Sequence, residues 1–100
     1  MAKALFNRGL KYSQRNADGD WERAVKDYTR VIELAEAPPE EVAKALVNRG
    51  VSYAQRDDLG DRRQISKDLE KVIEMDGVSE PVRMAASKLY QVIGSEDGGS

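Results

Sequence analysis

Residues Ala43-Lys44-Ala45-Leu46-Val47-Asn48-Arg49-Gly50-Val51-Ser52-Tyr53-Ala54-Gln55-Arg56 repeat Ala2-Lys3-Ala4-Leu5-Phe6-Asn7-Arg8-Gly9-Leu10-Lys11-Tyr12-Ser13-Gln14-Arg15 at an offset of 41 residues. The match runs on beyond this stretch. Gly19-Asp20 returns as Gly60-Asp61, Lys26-Asp27 as Lys67-Asp68, and Val31-Ile32-Glu33 as Val72-Ile73-Glu74. A period of about 20 to 50 residues marks supersecondary units that stack, because one unit alone cannot bury its apolar face.

Each unit reads as a helical hairpin. Ala2, Leu5, Phe6, Gly9, Leu10 and Tyr12 fall near one side of a first helix, Ala2 to Arg15. Gly9 sits mid-helix, where it costs about 1 kcal/mol against alanine, and Gly50 repeats it. A glycine kept in both copies predicts a close helix approach, so Gly9 and Gly50 are expected at the tightest contacts. Asn16 can end the helix in a left-handed conformation, and Asp18-Gly19 makes a turn. Asp20 is the expected N-cap of a second helix, Trp21 to Leu34. Its apolar side is Trp21, Ala24, Val25, Tyr28, Val31 and Ile32. Glu22, Arg23, Lys26, Asp27, Arg30 and Glu33 read as a solvated side. A loop at Ala35 to Pro38 leads into a third helix, Pro39 to Arg56, with Glu40 and Glu41 at the positive end of its dipole.

The second unit then repeats the first. Asp57-Asp58-Leu59-Gly60 is the equivalent turn, and a fourth helix from Asp61 to Met75 points Ile65, Leu69, Val72 and Ile73 inward. Gly77 supplies a left-handed stop. Ser79 is the expected cap of a fifth helix, with Pro81 in its first turn and an apolar stripe of Val82, Ala85, Ala86, Leu89, Val92 and Ile93. Gly94 is expected to end that helix. The reading is one all-α domain over residues 1–94: repeat one 2–38, repeat two 39–78, a C-terminal capping helix 79–94, and a disordered tail 95–100.

Composition removes several function classes. The chain has no cysteine and no histidine, so it lacks the usual thiolate and imidazole chemistry for nucleophilic attack, proton transfer or metal ligation. No enzyme and no cofactor is expected. Asp57, Asp58 and Asp61 lie close together but lack the alternation and closing glutamate of a calcium loop, so no metal is expected. A net charge of −2 from interspersed signs gives no footprint for nucleic acid. No apolar run has the length of a membrane span, and no secretion signal precedes the first helix. A cytoplasmic location is the expectation.

At this point the residues resemble the tetratricopeptide repeat family. That family spaces a large apolar residue, a small residue and a tyrosine along its first helix, here Leu5, Gly9 and Tyr12, then Leu46, Gly50 and Tyr53. Its second helix carries small, aromatic and small positions, matched by Ala24, Tyr28 and Val31 and more loosely by Ile65, Leu69 and Val72. A proline closes the repeat, as Pro38 or Pro39 does. The resemblance covers residues 2 to 93 and is weakest in the fifth helix. The period is 41 against the family's usual 34, the extra residues falling at Asn16 to Asp20 and Ala35 to Pro39, in surface connections that tolerate insertion.

The resemblance implies a right-handed α-α superhelix, a solenoid whose first helices line a concave groove for a peptide or protein. The implied contact residues are Lys3, Phe6, Asn7, Leu10, Lys44, Val47, Asn48 and Val51, with Ser13, Gln14, Ala54 and Gln55 beside them. Asn7-Arg8-Gly9 and Asn48-Arg49-Gly50 resemble the Asn-Arg-small triplet of chaperone-binding members, whose asparagine holds a peptide carboxylate. A second reading makes Asn7 and Asn48 links between helices. Arg8 and Arg49 read as structural, each paired to a carboxylate of the neighbouring hairpin. Phe6, Leu10, Val47 and Val51 read as groove or core, and four apolar side chains on an open face suit an apolar ligand strip or burial by another copy. Trp21 reads as packing, not as a cofactor stack. The expected function is therefore a non-catalytic protein–protein interaction module with a peptide or protein partner. The alternative is a structural repeat module that forms homo-oligomers through its open hairpin faces, as an excerpt of a longer array would.

Overall fold

The computed structural model describes residues 1–15, 17–56 and 62–98. The expected turns at Asn16 and at Asp57 to Asp61, the side chain of Gln55 and the last two residues of the tail lie outside the described residues. The protein is all-α, with α1 (Ala2–Arg15), α2 (Asp20–Glu33), α3 (Pro39–Arg56), α4 (Arg62–Glu74) and α5 (Glu80–Gly98). α1, α3 and α5 contact one another in succession. α2 lies against α1 and α3, and α4 against α3 and α5. Among the described residues no helix is long and apolar enough to cross a membrane.

Two apolar cores hold this arrangement. Ala2, Leu5, Phe6, Ala24, Tyr28 and Val31 form the first, which Ala45 of α3 completes. Ala43, Leu46, Val47, Ile65, Leu69 and Val72 form the second, which Ala86 and Ile93 of α5 complete. Ile32 packs against both. Each core thus joins a hairpin to the helix that follows it.

The two mid-helix glycines differ. A Cβ on Gly9 would lie 2.6 Å from Tyr28 Cε1, whereas one on Gly50 would meet Ile65 Cγ2 at 3.4 Å and Leu89 Cδ2 at 3.5 Å. Close approach is therefore required at Gly9, and Gly50 has ordinary van der Waals room. The cause is the exchange of Tyr28 for Leu69 at the equivalent position. Tyr28 is fully buried, stands 5.8 Å from the Phe6 ring, and brings its hydroxyl within 3.3 Å of Ser13 Oγ. Burial pushes that hydroxyl's pKa up.

Charged residues expected in water are part of the interior. Asp27, assigned to the solvated side of the second helix, is buried and accepts two bonds from Arg8, Nε at 2.9 Å and Nη2 at 2.8 Å. Asp68 repeats this with Arg49 Nη2 at 2.7 Å. The arginines therefore pair within their own hairpin, not with a neighbouring one. Arg49 adds a bond across the stack, Nη1 to Thr29 Oγ1 at 3.2 Å.

Asp20 is the first residue of α2 and not its N-cap. Gly19 takes the cap position in the left-handed region, with φ 81°. The buried Asp20 carboxylate accepts from Arg15 Nε and Nη2, from the Ala17 amide and from Arg23 Nη1. The Arg15 bond is the largest of the influences that hold its carboxyl far below the usual carboxylate range. A depressed folded-state pKa contributes stability that is complete above the unfolded value of about 4 and is lost as pH falls further. Acid unfolding should therefore begin below about pH 4. Asp20→Asn should lower the melting temperature at pH 7 and flatten this acid limb, as read by circular dichroism. An unaltered limb would remove Asp20 from the account.

α5 departs from its expected outline. Its backbone stays helical through Gly94 to Gly98, so the expected stop at Gly94 and a tail from residue 95 are corrected. Ala86 and Ile93 are buried, but Ala85 is exposed and Val92 is 54% exposed, so these two leave the predicted stripe. Ser79 does not cap α5 with its side chain. Its amide and hydroxyl both donate to Glu40, at 2.7 Å each, and tie the loop to the start of α3. Gly77 is left-handed at φ 78° as that loop turns, and a Cβ there would lie 3.5 Å from the Pro39 ring.

Candidate functional site

α1 and α3 lie side by side, and the repeat places equivalent residues on both. Lys3 and Asn7 are exposed and Leu10 is half-buried on α1. Lys44 and Asn48 are half-buried and Val51 is exposed on α3. These six make one candidate surface. Phe6 and Val47 do not join it, because each belongs to a core, at 6% and 9% exposure. Their positions fall between the side of the helix that meets its hairpin partner and the side that faces outward.

The polar groups on this surface are partly committed. Lys44 Nζ stands 5.1 Å from the centre of the Phe6 ring and 3.6 Å from Glu41 Oε2. A cation over an aromatic face is attracted to it, so Lys44 joins α3 to α1 while keeping ammonium protons for a ligand. Asn48 Nδ2 donates to the Lys44 carbonyl at 2.8 Å within α3. This bond lies inside one helix and links no two helices, and Asn48 Oδ1 can still accept from a backbone amide. Asn7 is exposed, so the two asparagines differ in how much of the amide is free.

Lys3 also borders a cleft of 460 Å³ that sequence reasoning did not anticipate, lined by Met1, Ala2, Leu34, Ala37, Pro38 and Glu41. Its counterpart at the second connection is occupied, by Pro39 against Gly77 and by Glu40 on Ser79.

Trp21 packs as expected. Its Nε1 donates to the Ser52 carbonyl at 2.6 Å and its ring meets Tyr53 edge-on at 5.8 Å, joining α2 to α3. No family model, no curated protein and no solved structure matches this chain.

Proposed function

We propose that this chain is a non-catalytic protein–protein interaction module, a tetratricopeptide-like solenoid of two hairpins capped by α5, that holds a peptide or protein segment along α1 and α3. One observation carries this reading. Lys3, Asn7 and Leu10 recur as Lys44, Asn48 and Val51 at the same offset, yet all remain at least partly in solvent. Leu5 and Leu46, Gly9 and Gly50, and Asp27 and Asp68 are repeated residues that the fold buries, while Lys26 and Lys67, and Glu33 and Glu74, stay exposed on the second helices. What sets the six apart is that they lie together on the neighbouring helices α1 and α3 and combine amide, charge and apolar groups. Asn7 and Asn48 bond the backbone of the segment, the lysines attract its acidic groups, and Leu10 and Val51 supply apolar contact.

The test is a peptide screen on the monomer, followed by titration of any ligand found against the wild type, Asn48→Ala and Val51→Glu. Asn48→Ala should weaken binding by about 1 kcal/mol, since half of its amide already serves α3. Val51→Glu should abolish it by placing a charge against an apolar contact. Wild-type affinity in both folded variants would move the site away from α1 and α3. A second reading, self-association, draws on Met84 and Val92 of α5, 55% and 54% exposed. Solution mass that rises with concentration and is reset by Met84→Glu would favour it.

A further inference from the structure

We infer that the outer side of α1, built on Ala4, Arg8 and Lys11, is a docking face for an acidic amphipathic helix of a protein partner. The basis is a row of three positions that occurs three times at the 41-residue offset. In α3 the row is Ala45, Arg49 and Ser52, and in α5 it is Ala86, Tyr90 and Ile93. In both helices this row meets the second helix of the preceding hairpin. Ala45 completes the first core and Ser52 accepts from Trp21 of α2. Ala86 and Ile93 complete the second core against α4. In both, the middle residue donates to a side-chain oxygen at one equivalent position, Arg49 to Thr29 and Tyr90 to Glu70 at 2.9 Å.

Among the described residues no helix covers this row of α1. Ala4 and Lys11 are exposed, and the Arg8 side chain is 53% exposed against 13% for Arg49. Arg8 uses Nε and Nη2 on Asp27, which leaves Nη1, the nitrogen with which Arg49 reaches across to Thr29. Arg8, Lys11, Tyr12, Gln14 and Arg15 line a recess of 520 Å³ there.

Charge decides what fits. Ala2–Arg15 contains Lys3, Arg8, Lys11 and Arg15 and no acidic residue, in a chain whose net charge is −2. Asp27 and Asp20 neutralise Arg8 and Arg15, but Lys11 stands where the covered rows carry serine and isoleucine. A helix lying here meets a net positive surface, so its complement is acidic, with a carboxylate placed as Glu70 is toward Tyr90. The chain's own α4 covers α5 in this manner, but with four basic residues against three acidic ones it is not the acidic helix that this surface complements.

The probe is a synthetic peptide of Arg62–Asp76 carrying Lys67→Glu and Lys71→Glu, since α4 already presents the covering side. Amide shifts of the labelled protein should move along α1 around Ala4, Arg8 and Lys11 on titration. Lys11→Glu and Ala4→Glu, which leave both aspartate pairs intact, should each weaken binding about tenfold, and salt should weaken it further. The proposal fails if the peptide does not bind at millimolar concentration, which makes this side a solvated end. It fails if binding is indifferent to Lys11→Glu or if shifts map to the Asn48 side of α3. Equal binding by the unmodified Arg62–Asp76 peptide would overturn the acidic requirement. A concentration-dependent dimer abolished by Lys11→Glu would make the occupant a second copy instead.

Discussion

Asp68→Ala is expected to destabilise the protein by about 3 kcal/mol, because it strands the Arg49 guanidinium in the interior. Arg49 is 13% exposed, its Nη2 rests on Asp68, and its Nε is already buried without a partner. Gln64, which donates to the other Asp68 oxygen at 3.0 Å, is exposed and can turn to water, so the loss falls on Arg49. The equivalent change, Asp27→Ala, should cost clearly less although Asp27 is as well buried, since Arg8 is half exposed and can turn to water. Denaturant unfolding of both variants measures the difference. Equal losses would show that the carboxylates act through their own packing and not through what they leave behind. Arg49→Met with Asp68→Leu should recover much of the loss, since apolar replacement of a whole buried pair is often neutral.

Gly9→Ala is expected to cost about 2 kcal/mol even though alanine favours a helix by about 1 kcal/mol. The added carbon would lie 2.6 Å from the Tyr28 ring, and that ring is fully enclosed between Phe6 and Ser13. It has nowhere to retreat without moving α2. Gly50→Ala should be neutral or stabilising by up to about 1 kcal/mol, because its nearest neighbours are methyl groups at contact distance. Thermal melts of the two single variants give the sign directly. Gly9→Ala combined with Tyr28→Leu, which imports the Leu69 solution of the second hairpin, should lose less than the sum of the two changes. Strict additivity would show that the Gly9–Tyr28 contact is not what forbids the methyl.

The helices were legible because two independent signals agreed. The apolar spacing of 3.6 marked each helix, and the offset of 41 residues fixed which helices correspond. Gly77 was legible for a different reason: a left-handed turn admits few residues. Asp27 and Asp68 were not, since a pattern that sorts residues into apolar and polar sends a carboxylate to water. The repeat of Arg8 and Asp27 as Arg49 and Asp68 held the clue, a spacing of 19 residues kept in both copies. Asp20 went unread as a buried group because its three arginine contacts come from Arg15 at the end of α1 and Arg23 in the first turn of α2, which only the folded turn between the helices brings together. Phe6 and Val47 stayed open between groove and core for want of a third dimension. A helix flanked by two others buries more than one stripe, and spacing alone cannot say how wide the buried arc is.

Each substantial helix pairing joins elements that are neighbours or next-but-one along the chain, and the Glu40–Ser79 tie spans only 39 residues. No distant ends must find each other before the first stabilising contact forms. Little chain entropy is therefore lost ahead of each gain, and a topology of this kind collapses in microseconds to milliseconds. Either hairpin can serve as the seed. Since Ile32 contributes to both cores and Arg49 bonds to α2 and α4 alike, whichever forms first offers the other a template, and assembly proceeds by lateral growth along the chain.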